Sequence, residues 1–182
     1  IPGNEGAGEV LLCGEGVNNF KPGDRVAYAM TIGAFAEERV ISSDRLVHLP
    51  DSISDDVAAG SMLKGMTVEY LVNRSAQLKA GDKVLFHAAA GGVGLIAGQW
   101  LESMGVEAIG TAGTSEKVEL AKNAGFKHVI NYNKDDFVTA VMDITNGKGV
   151  KVVYDSVGKD TYPSSLKVLK NCGFFVSFGS SS

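Results

Sequence analysis

The alanine and glycine run Ala88-Ala89-Ala90-Gly91-Gly92-Val93-Gly94 leaves this chain few ways to fold around it. It follows a short apolar run, residues 84–87, long enough for a buried strand. Beyond it, Val93, Ala97, Trp100, Leu101 and Met104 recur at helical spacing, and Gly105 closes the helix they predict. Residues 106–110 then start a second strand. Strand, glycine turn, helix and strand form the opening unit of a dinucleotide-binding sheet. A pyrophosphate needs backbone N–H groups and a helix N-terminus aimed at it, and side chains in the turn would hold it away. Gly92 lets the backbone approach, and Gly94 lets the helix lie close on the strand. The G-x-G-x-x-G pattern reads Ala89-Ala90-Gly91-Gly92-Val93-Gly94, with alanine for the first glycine. A turn that merely packs a helix on a sheet is the competing reading, and the flanking strand and helix weigh against it.

The alternation continues. Residues 116–123 read as a helix stopped by Gly125, 128–132 as a strand, and 135–145 as a helix ending at Asn146-Gly147. Residues 150–157 read as a strand with an apolar centre, and 161–170 as a helix carrying Pro163 in its first turn. Residues 174–178 make a fifth strand. The fold class is therefore α/β, a doubly wound parallel Rossmann sheet with five of the usual six strands. The switch point lies between its first and fourth strands, so a ligand belongs outside their carboxyl ends. Asp155, in Tyr154-Asp155-Ser156-Val157-Gly158, either faces that crevice or caps the next helix.

Residues 1–60 form a separate part of the map, and residues 61–182 the Rossmann domain. The first part reads as short strands at 9–12, 25–30, 33–41 and 45–49, punctuated by turns such as Lys21-Pro22-Gly23-Asp24. A helical stretch over 55–73, interrupted at Gly65, bridges the two parts. The chain opens at Ile1 without an initiator methionine and stops on Ser180-Ser181-Ser182, so it is expected to be a piece of a longer protein. Such a piece would expose a sheet edge beside its fifth strand and be catalytically deficient on its own.

Composition narrows the partners. A net charge of −4 argues against a nucleic-acid or anionic-membrane surface. No apolar run approaches the roughly 20 residues of a membrane span. Cys13 and Cys172 have no metal-ligand spacing and are expected as buried, reduced thiols of a cytoplasmic protein. His48, His87 and His128 each sit in or beside an apolar strand and read as satisfied structural histidines. No G-x-S-x-G setting supports nucleophilic catalysis, and no catalytic residue is assigned.

The motifs HAAAGGVGLIA, IGTAGTSEK, VINY, VVYDSVG and VSFGSSS resemble the zinc-free NADPH:quinone oxidoreductases, the zeta-crystallin-like branch of the medium-chain dehydrogenase/reductases. IPGNEGAGEV, KPGDRVAY and GAFAEE are similar to the second half of that superfamily's GroES-like β domain. The resemblance implies Gly92 and Val93 at the pyrophosphate, within the turn that also holds Ala90 and Gly91. It implies Lys64, Gly65 and Thr67 beside the nicotinamide. Val157, after the fourth strand, and Phe178, Gly179 and Ser181, after the fifth, complete the expected cofactor contacts. It also implies a homodimer when full length and a quinone or related small molecule as acceptor. No metal is expected: Asn4 stands where zinc alcohol dehydrogenases carry a ligand histidine, Lys64 falls near a ligand cysteine, and residues 28–35 are too short and cysteine-free for a structural zinc lobe.

The cofactor is expected to be NADPH. An NAD site places an Asp or Glu at the end of the second strand, where this chain has Gly110-Thr111-Ala112-Gly113. Lys117 follows in the first turn of the next helix, an unusual place for a cation unless an anion binds there. In the resembling family, positions matching Gly113, Lys117 and Tyr132 hold the 2′-phosphate. A solvated Lys117 with Glu116 on the ribose is the competing arrangement. Hydride transfer to a quinone needs alignment and stacking more than acid–base groups. Reduction of an enone C=C bond and a non-catalytic, crystallin-like NADPH-binding protein are the alternatives.

Overall fold

The computed structural model describes residues 1–182, which form two compact units, Ile1–Met66 and Thr67–Ser182. No helix is long and apolar enough to cross a membrane.

In the first unit, β1 (Glu5–Glu9), β2 (Arg25–Ala29) and β3 (Val47–His48) form an antiparallel sheet in that order. Its buried centre is small: Ala27, Leu49 and Ala58, with Ala7 packed against them. The Arg25 guanidinium ties the end of the sheet to the helix that follows, donating to Ile53 O at 2.8 Å and to Asp55 Oδ1 at 2.5 Å. Here the sequence expectations need correction. The first strand lies at Glu5–Glu9 rather than 9–12, and residues 33–41 form bends, not a strand. The expected strand at 45–49 shrinks to Val47–His48, preceded by a 3-10 turn over Ser43–Arg45. The amides of Gly33, Ala34 and Phe35 donate to the carbonyls of Gly3 and Pro2, so this backbone is held by isolated bonds to residues 2–3 rather than by a strand ladder. Both cysteines are exposed, which overturns the expectation of buried thiols.

The helix α1 (Asp55–Glu69) runs through Gly65 without interruption and continues as a π-helical segment, Tyr70–Ser75. A Cβ at Gly65 would meet open space, so nothing there requires a break.

The second unit is built on β4 (Lys83–Phe86), β5 (Glu107–Ala112), β6 (His128–Asn131), β7 (Val150–Asp155) and β8 (Leu169–Ser177). All pair in parallel, in the order β6-β5-β4-β7-β8, which puts the switch between β4 and β7, as expected. Helices α2 (Gly92–Ser103), α3 (Ser115–Asn123), α4 (Phe137–Ile144) and α5 (Tyr162–Ser165) join the strands. The period of two along β4 feeds two cores: Val84 and Phe86 pack with Ala97 and Leu101 of α2, while Leu85 packs with Val141 of α4. Apolar cores on both faces make the sheet doubly wound. The last expected helix, 161–170, is much shorter. It gives way to a 3-10 turn at Leu166–Val168, and β8 begins at Leu169, five residues before the expected 174, with a register shift opposite Val150 and Val152.

Candidate functional site

The carboxyl ends of β4, β5 and β7 open onto a cavity of about 450 Å³. Its making begins with the turn after β4. His87 N donates to Tyr154 O and Ala89 N to Thr111 O, both at 3.0 Å, so the turn is stitched to the strands on either side. Ala88 takes a left-handed φ of 53°, and Gly91 N closes the turn on Ala88 O at 2.9 Å. The turn then feeds α2. A Cβ on Gly94 would run into the carbonyls of Ala88 and Ala89, so the first helical turn lies on the loop backbone itself.

Gly91 caps α2 without a side-chain hydrogen bond, and the first bond into the helix is Leu95 N to Gly91 O. The amide N–H groups of Gly92, Val93 and Gly94 therefore have no partner in the protein and converge at the positive end of the helix. This suits an anion such as pyrophosphate.

The second anion-compatible corner lies at the end of β5. A Cβ on Gly113 would stand 2.5 Å from the Tyr132 hydroxyl, so only glycine lets the Tyr132 ring cross the strand end. Asn133 Nδ2 donates to Gly113 O at 2.7 Å and fixes that turn. Thr114 caps α3, accepting from Lys117 N. Lys117 lines the cavity, and its ammonium makes no ion pair. Glu116 serves the cap: hydrogen bonds from its own backbone N–H and from the Thr114 hydroxyl, with Lys134 nearby, hold its carboxyl below the usual carboxylate range.

Of the residues expected at a cofactor, Ala90, Gly91, Gly113, Lys117, Tyr132 and Val157 line the cavity together. Gly92 and Val93 open α2 beside Gly91. Phe178, Gly179 and Ser181 instead run along the loop after β7. Phe178 N donates to Asp155 O at 2.9 Å, Ser181 N donates to Val157 O at 2.9 Å, and a Cβ on Gly179 would touch Ser156. The Phe178 ring packs on Phe86, centroids 5.6 Å apart. Lys64 and Thr67 lie on α1 and line no part of the cavity. The Lys64 ammonium pairs with Glu5 and also donates to Gly60 O at 3.0 Å.

Asp155, left between two roles by the sequence, is fully buried and organises its own loop. Its Oδ1 accepts from Val157 N at 2.8 Å and Gly158 N at 3.0 Å, and its Oδ2 from the Thr161 hydroxyl at 2.7 Å. Sequence reading also missed cavity-lining residues, chiefly Thr111, Asp160 and Thr161. Thr111 carried one usable signal, its place two residues before Gly113 at a strand end. Asp160 and Thr161 carried none, because their position depends on the Asp155 loop. His48 and His87 are satisfied: His48 Nε2 lies 3.0 Å from Asn19 O, and His87 lies between two hydroxyls. No three or more His, Cys, Asp or Glu side chains gather where they could hold a metal ion.

Comparison with known proteins agrees with this architecture. The alcohol dehydrogenase GroES-like domain family matches residues 1–51, and the zinc-binding dehydrogenase family matches residues 92–182. A quinone oxidoreductase of Pseudomonas aeruginosa is 49% identical over 99% of this chain and 56% of its own length. A 2-haloacrylate reductase of Burkholderia is 44% identical over 100% of this chain and 56% of its own length. The crystal structure of Escherichia coli quinone oxidoreductase complexed with NADPH superposes with a TM-score of 0.96 at 49% identity, over 100% of this chain and 56% of that one. The chain thus spans just over half the length of the relatives it matches. With a parallel sheet switched at β4 and β7, a glycine turn under α2, and these likenesses over nearly its whole length, the chain belongs to the zinc-binding dehydrogenase family of the medium-chain dehydrogenase/reductase superfamily.

Proposed function

We propose that this chain holds NADPH and forms part of a zinc-independent quinone reductase. One observation carries the reading: the cavity that reaches Gly91, the residue from which α2 starts, also contains Lys117, with no acidic residue at the end of β5. The open N–H groups of Gly92 to Gly94 would take the pyrophosphate. Lys117, beside Gly113 and the Tyr132 hydroxyl, would take the 2′-phosphate. When bound, NADPH supplies the hydride. The chain's own residues bind and orient: the α2 amides and Lys117 hold the charged groups, and Phe137 and Val157 add apolar wall that excludes water. Lys64, Thr67, Phe178, Gly179 and Ser181 are proposed toward the nicotinamide end on family resemblance alone. The same resemblance extends the proposal to a homodimeric, cytoplasmic whole protein. Zinc independence rests on Asn4 and on Lys64, whose cationic head is paired with Glu5.

Reduction of an activated C=C bond is the second reading, supported by the likeness to a 2-haloacrylate reductase. NADPH oxidation by the whole protein with 1,2-naphthoquinone, with a simple enone and with no acceptor separates the two from a cofactor-binding protein without turnover. The cofactor half has its own test. A charge-assisted contact contributes about 1.5–3 kcal/mol, so Lys117→Ala should weaken NADPH at least about tenfold and leave NADH nearly unchanged. Equal losses for both cofactors would show that Lys117 does not read the phosphate.

A further inference from the structure

Two buried hydroxyls share one imidazole in the cavity wall. His87 Nδ1 lies 3.0 Å from Thr111 Oγ1, and Nε2 lies 2.9 Å from Ser165 Oγ. The ring is 1% exposed and stands edge-on to Phe137, centroids 5.1 Å apart, so it does not turn freely. Burial pushes His87 down to about 4, against the opposing pull of Asp155, and the ring is neutral at ordinary pH.

A neutral imidazole donates from one nitrogen and accepts at the other. One hydroxyl must therefore donate to the ring, and the other must accept from it. The accepting hydroxyl keeps a proton of its own, and neither Thr111 nor Ser165 has a second side-chain hydrogen bond in the protein to receive one. The two sites differ. Ser165 is 0% exposed and lines no cavity, so an orphan O–H there would be a buried, unsatisfied donor. Thr111 lines the cavity, where an occupant can receive the proton. Ser165 therefore donates to Nε2, Nδ1–H donates to Thr111 Oγ1, and the Thr111 hydroxyl proton is left for the cavity.

We propose that Thr111 is a hydrogen-bond donor to the adenosine half of the bound dinucleotide, with His87 and Ser165 as the positioning residues that aim its proton. Thr111 stands on β5, two residues before Gly113, and lines the same cavity as Lys117 and Tyr132. A ribose oxygen or ring nitrogen would supply the acceptor. The inference rests on the NADPH reading above.

Two measurements on the whole protein test it. In the ligand-free wild type, ¹⁵N chemical shifts should show His87 as the Nδ1–H neutral tautomer; the Nε2–H tautomer would overturn the assignment. This needs no variant, so it stands even if a substitution unfolds the protein. NADPH titration should then find Thr111→Val weaker by about two- to tenfold, the range of one neutral hydrogen bond, with Thr111→Ser near wild type. Wild-type affinity in both variants, or equal loss in both, would remove the hydroxyl from recognition and leave the NADPH reading intact. If the wild type itself fails to bind NADPH, that reading falls, and this assignment with it.

Discussion

The two ends of the parallel sheet treat their polar groups in opposite ways. At the amino end charged side chains pair with one another within the chain. Asp82 accepts from Lys151 at 2.6 Å and from Lys79 N at 2.8 Å, and Glu107 lies between Lys83 and Lys127. At the carboxyl end, the first amides of α2 and the Lys117 ammonium are left without partners, by a cavity that Gly91 and Lys117 line. Satisfied polar groups hold strands in register. Unsatisfied ones, kept in place by backbone contacts, are what a ligand can bind. The same strands thus serve stability at one end and recognition at the other.

The comparison breaks most severely at Gly94. Any side chain there collides with the Ala88 and Ala89 carbonyls and must lift α2 off the turn. Gly94→Val should destabilise the protein by about 1–3 kcal/mol or more and abolish NADPH binding. Unchanged binding by titration calorimetry would show that the open amides are not the cradle.

Acid should separate the two ends. His87, at the cavity end, has a folded pKa of about 4 against an ordinary value near 6.5, so the unfolded state takes up its proton first. Its neutral burial is without penalty above about pH 6.5, and stability falls as pH drops from there toward about 4, by roughly 3 kcal/mol in all. At the other end, burial raises the Asp82 carboxyl, but its hydrogen bonds to Lys151 and Lys79 N and the charges of Lys151 and Lys170 outweigh that and lower it. Glu107 is lowered by its hydrogen bonds to Lys83 and Lys127. These carboxyls therefore stabilise above the ordinary carboxylate range, near pH 4, and lose that contribution only below it. Urea midpoints should decline from pH 6.5 to 4.5 in the wild type and stay nearly flat over that window in His87→Gln. A similar decline in both proteins would exclude His87 as the cause.

The smallest expected effect is at the amino end. Lys151→Met leaves Asp82 partly buried without its main partner, and part-exposed pairs contribute about 0.2–1 kcal/mol. Thermal melting should show a loss near the upper end of that range, with NADPH affinity unchanged. A fall in affinity would mean that the two ends are not independent.

What the sequence made legible follows the range of the interactions. The glycine turn and the place of Lys117 rest on spacing within single strand–helix units and can be read from neighbours, the switch between β4 and β7 follows from the alternation of strands and helices, and Gly113 and Tyr132 came from the family resemblance. The bends at 33–41 were misread as a strand because the partners of their first amides, the carbonyls of Pro2 and Gly3, lie far back in the chain. The start of β8 was misplaced because its pairing is set by an irregularity opposite Val150 and Val152, some 20 residues earlier in the chain. His87 was readable as a satisfied histidine, but its Ser165 partner lies 78 residues away, so its place in the cavity wall was not.

The seating of α2 on the Ala88–Ala89 backbone has a consequence in time. With no side chain between helix and turn, the loop has no local hinge, and opening it requires unseating the helix from the sheet. The hydrogen-bonded amides of Ala89, Gly91 and Leu95 should therefore exchange with solvent hydrogen on the slow timescale of subglobal unfolding rather than of loop motion. The conformational entropy of ordering the cradle is lost once, when the chain folds, and each encounter with a ligand starts from a backbone already in place.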